Sequence, residues 1–107
     1  MSRPGGLQMR TRSLVPYRIQ AARTAQELLQ SFHPHAKKLI KEALKELKHD
    51  PFLGKNLQRE LSGYQSYRIN RYRIIYKTDL SDKIVMVHYV GHRRDVYERF
   101  VELVRMK

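Results

Sequence analysis

Residues 34–50 show the clearest rhythm in the chain. Apolar residues recur every three or four positions: Ala36, Leu39, Ile40, Ala43, Leu44 and Leu47. Between them stand Lys37, Lys38, Lys41, Glu42, Lys45, Glu46 and Lys48. One apolar stripe against one charged face predicts an amphipathic helix lying on a core. Ser31 or His33 can cap its start, Pro34 suits a first helical position, and Asp50-Pro51 closes it. A shorter stretch with the same spacing, residues 23–32, carries Ala25, Leu28, Leu29 and Phe32. Two helices with so short a joint form an antiparallel hairpin.

Elsewhere the period is two. Residues 15–19 alternate and predict a short strand, with Pro16 at its start or on a sheet edge. Residues 52–63 have no period and read as a loop. Strand-like runs follow at 64–70, 72–79 and 83–90, the last dense in β-formers. The link Leu80-Ser81-Asp82 is short enough for a hairpin turn. Residues 95–106 place Val96, Phe100, Leu103 and Val104 on one side of a final helix. The order is β-α-α-β-β-β-α. The helical hairpin should return the chain to the sheet running opposite to its first strand. The expected fold is α+β: a small, mainly antiparallel, four-stranded sheet with the helical hairpin packed on one face.

The remaining residues, 1–14, have no period and two glycines. They read as a flexible basic tail, or as sequence upstream of a true start at Met9. Residues 15–107 then form a single domain. A chain of 107 residues supports one core. No internal repeat or low-complexity tract is visible.

Charge narrows the partner. There are 22 Lys and Arg against 10 Asp and Glu, for a formal net charge of +12. That excess favours a polyanion over a mere guard against self-association. The chain has no cysteine, so disulfides and thiol chemistry are excluded and a reducing cytoplasm is the expected compartment. No apolar run reaches the ~20 residues of a membrane span, and the start has no secretory h-region. No Gly-rich phosphate loop or serine nucleophile context is present.

Alternation along the middle strands puts Arg68, Asn70, Arg73 and Lys77 on the face away from the helices, with Arg71 at the turn. After the fourth strand Gly91 frees the backbone to bend, and His92, Arg93 and Arg94 leave its end, followed by Tyr97. Several cations on one surface with flat rings among them suit single-stranded RNA. Tyr72 and Tyr76 read as core. His33 and His35 flank a proline, but no carboxylate or thiol joins them, so neither a metal site nor a cofactor is expected.

Several short stretches together resemble the RelE/ParE superfamily of bacterial toxins from toxin–antitoxin pairs, and most of all the RelE-like mRNA interferases. They are Leu61-Ser62-Gly63-Tyr64, Tyr67-Arg68-Ile69, Tyr72-Arg73-Ile74-Ile75-Tyr76 and Gly91-His92-Arg93-Arg94-Asp95-Val96-Tyr97. Pro51-Phe52 and Gly54-Lys55 are similar to the loop before the second strand in that group. The resemblance implies metal-independent cleavage of mRNA at the ribosome. The ribose 2′-OH attacks the adjacent phosphate, expels the 5′-oxygen and leaves a cyclic phosphate. Arg73 falls on the phosphate-binding arginine, Arg93 on the arginine near the leaving oxygen, and Tyr97 on the tyrosine that orients or stacks a base. Arg68 and Asn70 fall where RelE carries two lysines, one of which helps activate the 2′-OH. Neither replacement moves a proton near neutrality. His92 is the preferred substitute, since imidazole titrates in the useful range. Lys55 is the other candidate, and low activity the third outcome. Lys55, Asn70, Arg71, Lys77 and Arg94 are then RNA contacts. The resemblance also implies a cognate antitoxin with an acidic toxin-binding segment. The alternatives are a ParE-like inhibitor of DNA gyrase that cuts no nucleic acid, and a degenerate member that only binds its antitoxin.

Overall fold

The computed structural model describes residues 15–106, so the tail expected over 1–14 lies outside the described residues. In chain order the elements are β1 (Arg18–Ala21), α1 (Arg23–Ser31), α2 (Pro34–His49), β2 (Lys55–Asn56), a single 3-10 turn at Arg59–Leu61, β3 (Gln65–Ile69), β4 (Tyr72–Asp79), β5 (Ile84–His92) and α3 (Val96–Arg105). The strands lie side by side as β1-β5-β4-β3-β2. The α+β class is the expected one, and the sheet has five strands rather than four. The extra one comes from the presumed loop, where Lys55 and Asn56 pair antiparallel with Ser66 and Gln65. Two residues are too few to show a period.

β3, β4 and β5 form an antiparallel meander, and β1 joins β5 in parallel. The strand at 64–70 was expected to return opposite to the first, but β3 runs with β1, because the unexpected β2 takes the opposite direction and reverses the chain once more. α2 begins where its capping residues place it. His33 Nδ1 accepts from the His35 backbone N–H at 3.2 Å, and Pro34 occupies the first turn. That bond engages His33 in capping.

Both sheet faces carry helices. Ala25 of α1 and Ile40, Ala43 and Leu47 of α2 bury one face over Ile74, Tyr76, Val85, Val87 and Val90. α3 covers the middle of the other face, where Val96 and Phe100 pack on Ile75 and Leu61. The second face was expected to be bare. Alternation explains the difference: Ile74 and Ile75 are adjacent, point to opposite faces, and are both fully buried.

A bulge then decides which residues meet at the sheet's end. Ile75 pairs with Tyr89 but Tyr76 pairs with Val87, which leaves His88 as an extra residue on β5. Everything beyond it shifts by one, so Gly91 comes opposite Arg73 and His92 opposite Tyr72.

Candidate functional site

Four side chains meet where β2, β3, β4 and the start of α3 converge. Arg73 of β4 is half-buried, and its Nη1 donates to Ser66 Oγ at 3.0 Å. The Tyr97 hydroxyl donates to the same oxygen at 3.1 Å. The Arg73 guanidinium lies 5.7 Å from the centre of the Tyr97 ring, and Lys55 Nζ lies 5.8 Å from it. Ser66 is only 1% exposed, so its hydroxyl is a fixed post between guanidinium and phenol. One ring thus holds two cations within cation–π range. Ion pairs among the described residues join Arg23 to Glu27, Arg99 to Asp95 and Arg105 to Glu60, and leave Arg73 and Lys55 out. Two cations that no carboxylate of the described residues pairs with leave charge open to an anion.

The local sequence explains how Tyr97 arrives there. Gly91 lies inside β5 and does not form the bend expected of it. A side chain at that position would bring its Cβ within 3.1 Å of Val96 Cγ2. Its bareness lets α3 begin against the strand, directly across from Arg73. Asp95 ties that start down: its N–H donates to His92 O at 3.2 Å, and its Oδ2 accepts from Arg99 Nε at 2.9 Å. The Arg99 hydrogen bond holds the Asp95 carboxyl below its ordinary range, which keeps a negative charge at the helix N-terminus.

The other sequence-predicted residues divide. Arg68 is exposed and pairs directly with Arg73 across the ladder, and its Nε donates to Asn70 O at 3.2 Å. Like charges set opposite cost stability, a cost that an anion between them offsets. Arg71 lies in the β3–β4 turn, and its carbonyl accepts from the Arg93 N–H at 2.7 Å. Arg93 and Arg94 are exposed at the same end of the sheet. Three residues stand apart. Asn70 does not share the Arg73 face as expected, because it opens the turn at φ 57°. Lys77 sits four residues along β4 from Arg73, roughly 13 Å of strand, with its Nζ 4.4 Å from the Tyr64 ring. His92 belongs to the hairpin side. Its ring meets Tyr72 edge-on at 6.0 Å, and its Nδ1 accepts from the Arg94 N–H at 3.3 Å.

A family model described as the ParE toxin of type II toxin-antitoxin system, parDE, matches residues 16–97. The chain belongs to the RelE/ParE superfamily of toxins. Toxin RelG of Mycobacterium tuberculosis (strain ATCC 25618 / H37Rv) is 34% identical over 87 residues, 79% of this chain and 100% of RelG. The RelBE2 toxin–antitoxin complex from Mycobacterium tuberculosis contains a chain with 32% identity and a TM-score of 0.72, covering 78% of this chain and 99% of that one. The intact E. coli RelBE complex matches at 19% identity and a TM-score of 0.63, covering 71% and 95%, and shares the fold. As a member of this superfamily the protein is a toxin of a toxin–antitoxin system. Among its described residues no helix is long and apolar enough to cross a membrane.

Ser66 was missed from the sequence of this toxin. Its signal was faint: alternation sets it on the Arg68 side of β3, a small polar residue facing a core position.

Proposed function

We propose that this toxin is a metal-independent endoribonuclease that cuts mRNA at the ribosome. Support comes from one observation above the rest: Arg73 and Lys55 share the Tyr97 ring while Ser66 ties Arg73 to Tyr97. The 2′-OH of a bound nucleotide attacks the adjacent phosphorus as it loses its proton. The P–O5′ bond breaks, the leaving oxygen takes up a proton, and a 2′,3′-cyclic phosphate remains. Arg73 carries the charge that builds on the phosphate, and Arg93 stands by the leaving oxygen. Tyr97 stacks a base. Arg68, Arg71 and Arg94 draw in the flanking backbone.

Lys55 is the group proposed to exchange the proton. An amine moves a proton either way, whereas the neighbouring guanidiniums do not. His92 was the earlier preference, but its ring lies against Tyr72 on the hairpin side. Among the described residues no group of three His, Cys, Asp or Glu could hold a metal ion, and the mechanism uses none. On this reading the toxin acts in the cytoplasm and is held in check by a cognate antitoxin, as the RelBE2 complex of the 32%-identical relative suggests. An acidic antitoxin segment, disordered alone, would order over the basic end of the sheet.

The test is primer extension on a reporter message after brief induction, run beside a gyrase supercoiling assay. Cuts within codons are expected. Intact message with inhibited supercoiling would replace this reading with gyrase inhibition.

A further inference from the structure

We infer that Tyr76, on the far side of the sheet from the site, is the positioning residue for Lys55. This rests on the proposed reading of Lys55 as the group that meets the RNA and exchanges the proton. Tyr76 is fully buried among the hairpin-side core residues, so its hydroxyl has a fixed address. That hydroxyl donates to Pro51 O at 2.7 Å and accepts from the Gly54 N–H at 3.1 Å. It thereby holds both ends of the segment that leads into β2. A second donor reinforces the first end: Gln65 Nε2 reaches Pro51 O at 3.1 Å and is itself set by Thr78 Oγ1, which donates to Gln65 Oε1 at 2.6 Å. Asp50 is 7% exposed, and its Oδ1 accepts from the Phe52 N–H at 3.0 Å. Gly54 completes the fit, because a Cβ there would lie 2.5 Å from the Tyr76 hydroxyl and 2.7 Å from Ser66 O.

A connecting loop has no need of this. Connections run over the surface, and burying their polar groups is costly unless every one is paired. β2 cannot place itself either, since it has two exposed residues and one partner strand. The buried network is what sets Lys55 opposite Ser66, and so above Tyr97. Burial also pushes the Tyr76 phenol up to about 12, so the hydroxyl keeps the proton it donates to Pro51 at any working pH.

The experiment is a double-mutant cycle of Tyr76→Phe and Lys55→Ala. It is read as affinity for an RNA oligonucleotide with a 2′-deoxy block at the scissile position, and as single-turnover cleavage of the all-ribose form. Tyr76→Phe keeps the ring and removes only the tether. Alone, it should weaken both readouts by about tenfold or more, the scale of a small misplacement. In the Lys55→Ala background it should change neither. Losses that multiply in the double variant, or a Tyr76→Phe protein equal to wild type, overturn the inference. If Tyr76→Phe does not fold, Gln65→Leu takes its place in the cycle. If the wild type neither binds nor cuts RNA, the parent reading falls, and NMR decides the positioning alone. Tyr76→Phe should then abolish protection of the Gly54 amide and lose the nuclear Overhauser contact expected between the Lys55 side chain and the Tyr97 ring, whose centre lies 5.8 Å from Lys55 Nζ. Unchanged values overturn the inference.

Discussion

Arg73, half-buried and lodged against Ser66, has one job that a lysine could not share: presenting a planar, permanently charged fork at a fixed angle. Replacing it by Ala should slow cleavage by about 10²-fold or more, the usual loss for one oriented charge donor. Arg93→Ala should do the same, and Tyr97→Phe should be milder than Tyr97→Ala because the ring remains. Single-turnover rates check all of these, and growth arrest that survives both arginine changes would remove them from the mechanism. The nearness of Arg73 and Tyr97 was legible in the sequence as basic and aromatic residues near strand ends, while Arg93 is exposed at the same end of the sheet. His92 was misplaced for a geometric reason. The extra residue at His88 turns the rest of β5 by one position, and nothing in a run of β-formers marks where a bulge will fall. Without it, Tyr72 would face Gly91, and His92 would fall opposite Arg71.

Among the elements, α2 was the plainest in the sequence, because its apolar stripe runs unbroken through a 16-residue helix. β2 was not, because it is held by tertiary contacts and not by its own pattern. Those contacts make a specific forecast. Gly54→Ala forces a methyl against the Tyr76 hydroxyl and the Ser66 carbonyl, and backbone cannot yield as a flexible side chain can. It should cost about 1–3 kcal/mol in a urea melt, the range for overpacking, and lower cleavage as well. A variant as stable as the wild type would mean that the loop lies differently. Two phenols on the hairpin side also tie stability to alkaline pH. Burial raises both the Tyr67 and Tyr76 phenols to about 12, and Glu46 adds to the first by accepting the Tyr67 hydroxyl at 2.6 Å. Unfolded tyrosines release their protons near 10. Native stability from these groups is therefore whole below pH ~10 and lost as pH climbs towards ~12. Denaturant midpoints measured across that window should fall, and those of Tyr76→Phe should fall less steeply.

At the scale of the molecule, the proposed function has a net charge of +12 supplying affinity without choice and the four-residue cluster supplying the choice. The charge was readable by counting. The cluster was only half readable, because α3 crossing the second face gathers the site at one end of the sheet. Affinity for an uncleavable single strand should fall steeply with salt. Arg93→Ala should flatten the plot of log affinity against log salt by about 0.7, the share of one phosphate. A slope unchanged by that substitution would place Arg93 off the RNA. The most direct measurement is end-group analysis of a short RNA under single-turnover conditions with a chelator present, comparing the wild type with Arg73→Ala. The account predicts a 2′,3′-cyclic phosphate product, formed about 10²-fold more slowly by the variant. Intact RNA under the wild type, or equal rates for the two proteins, would contradict it.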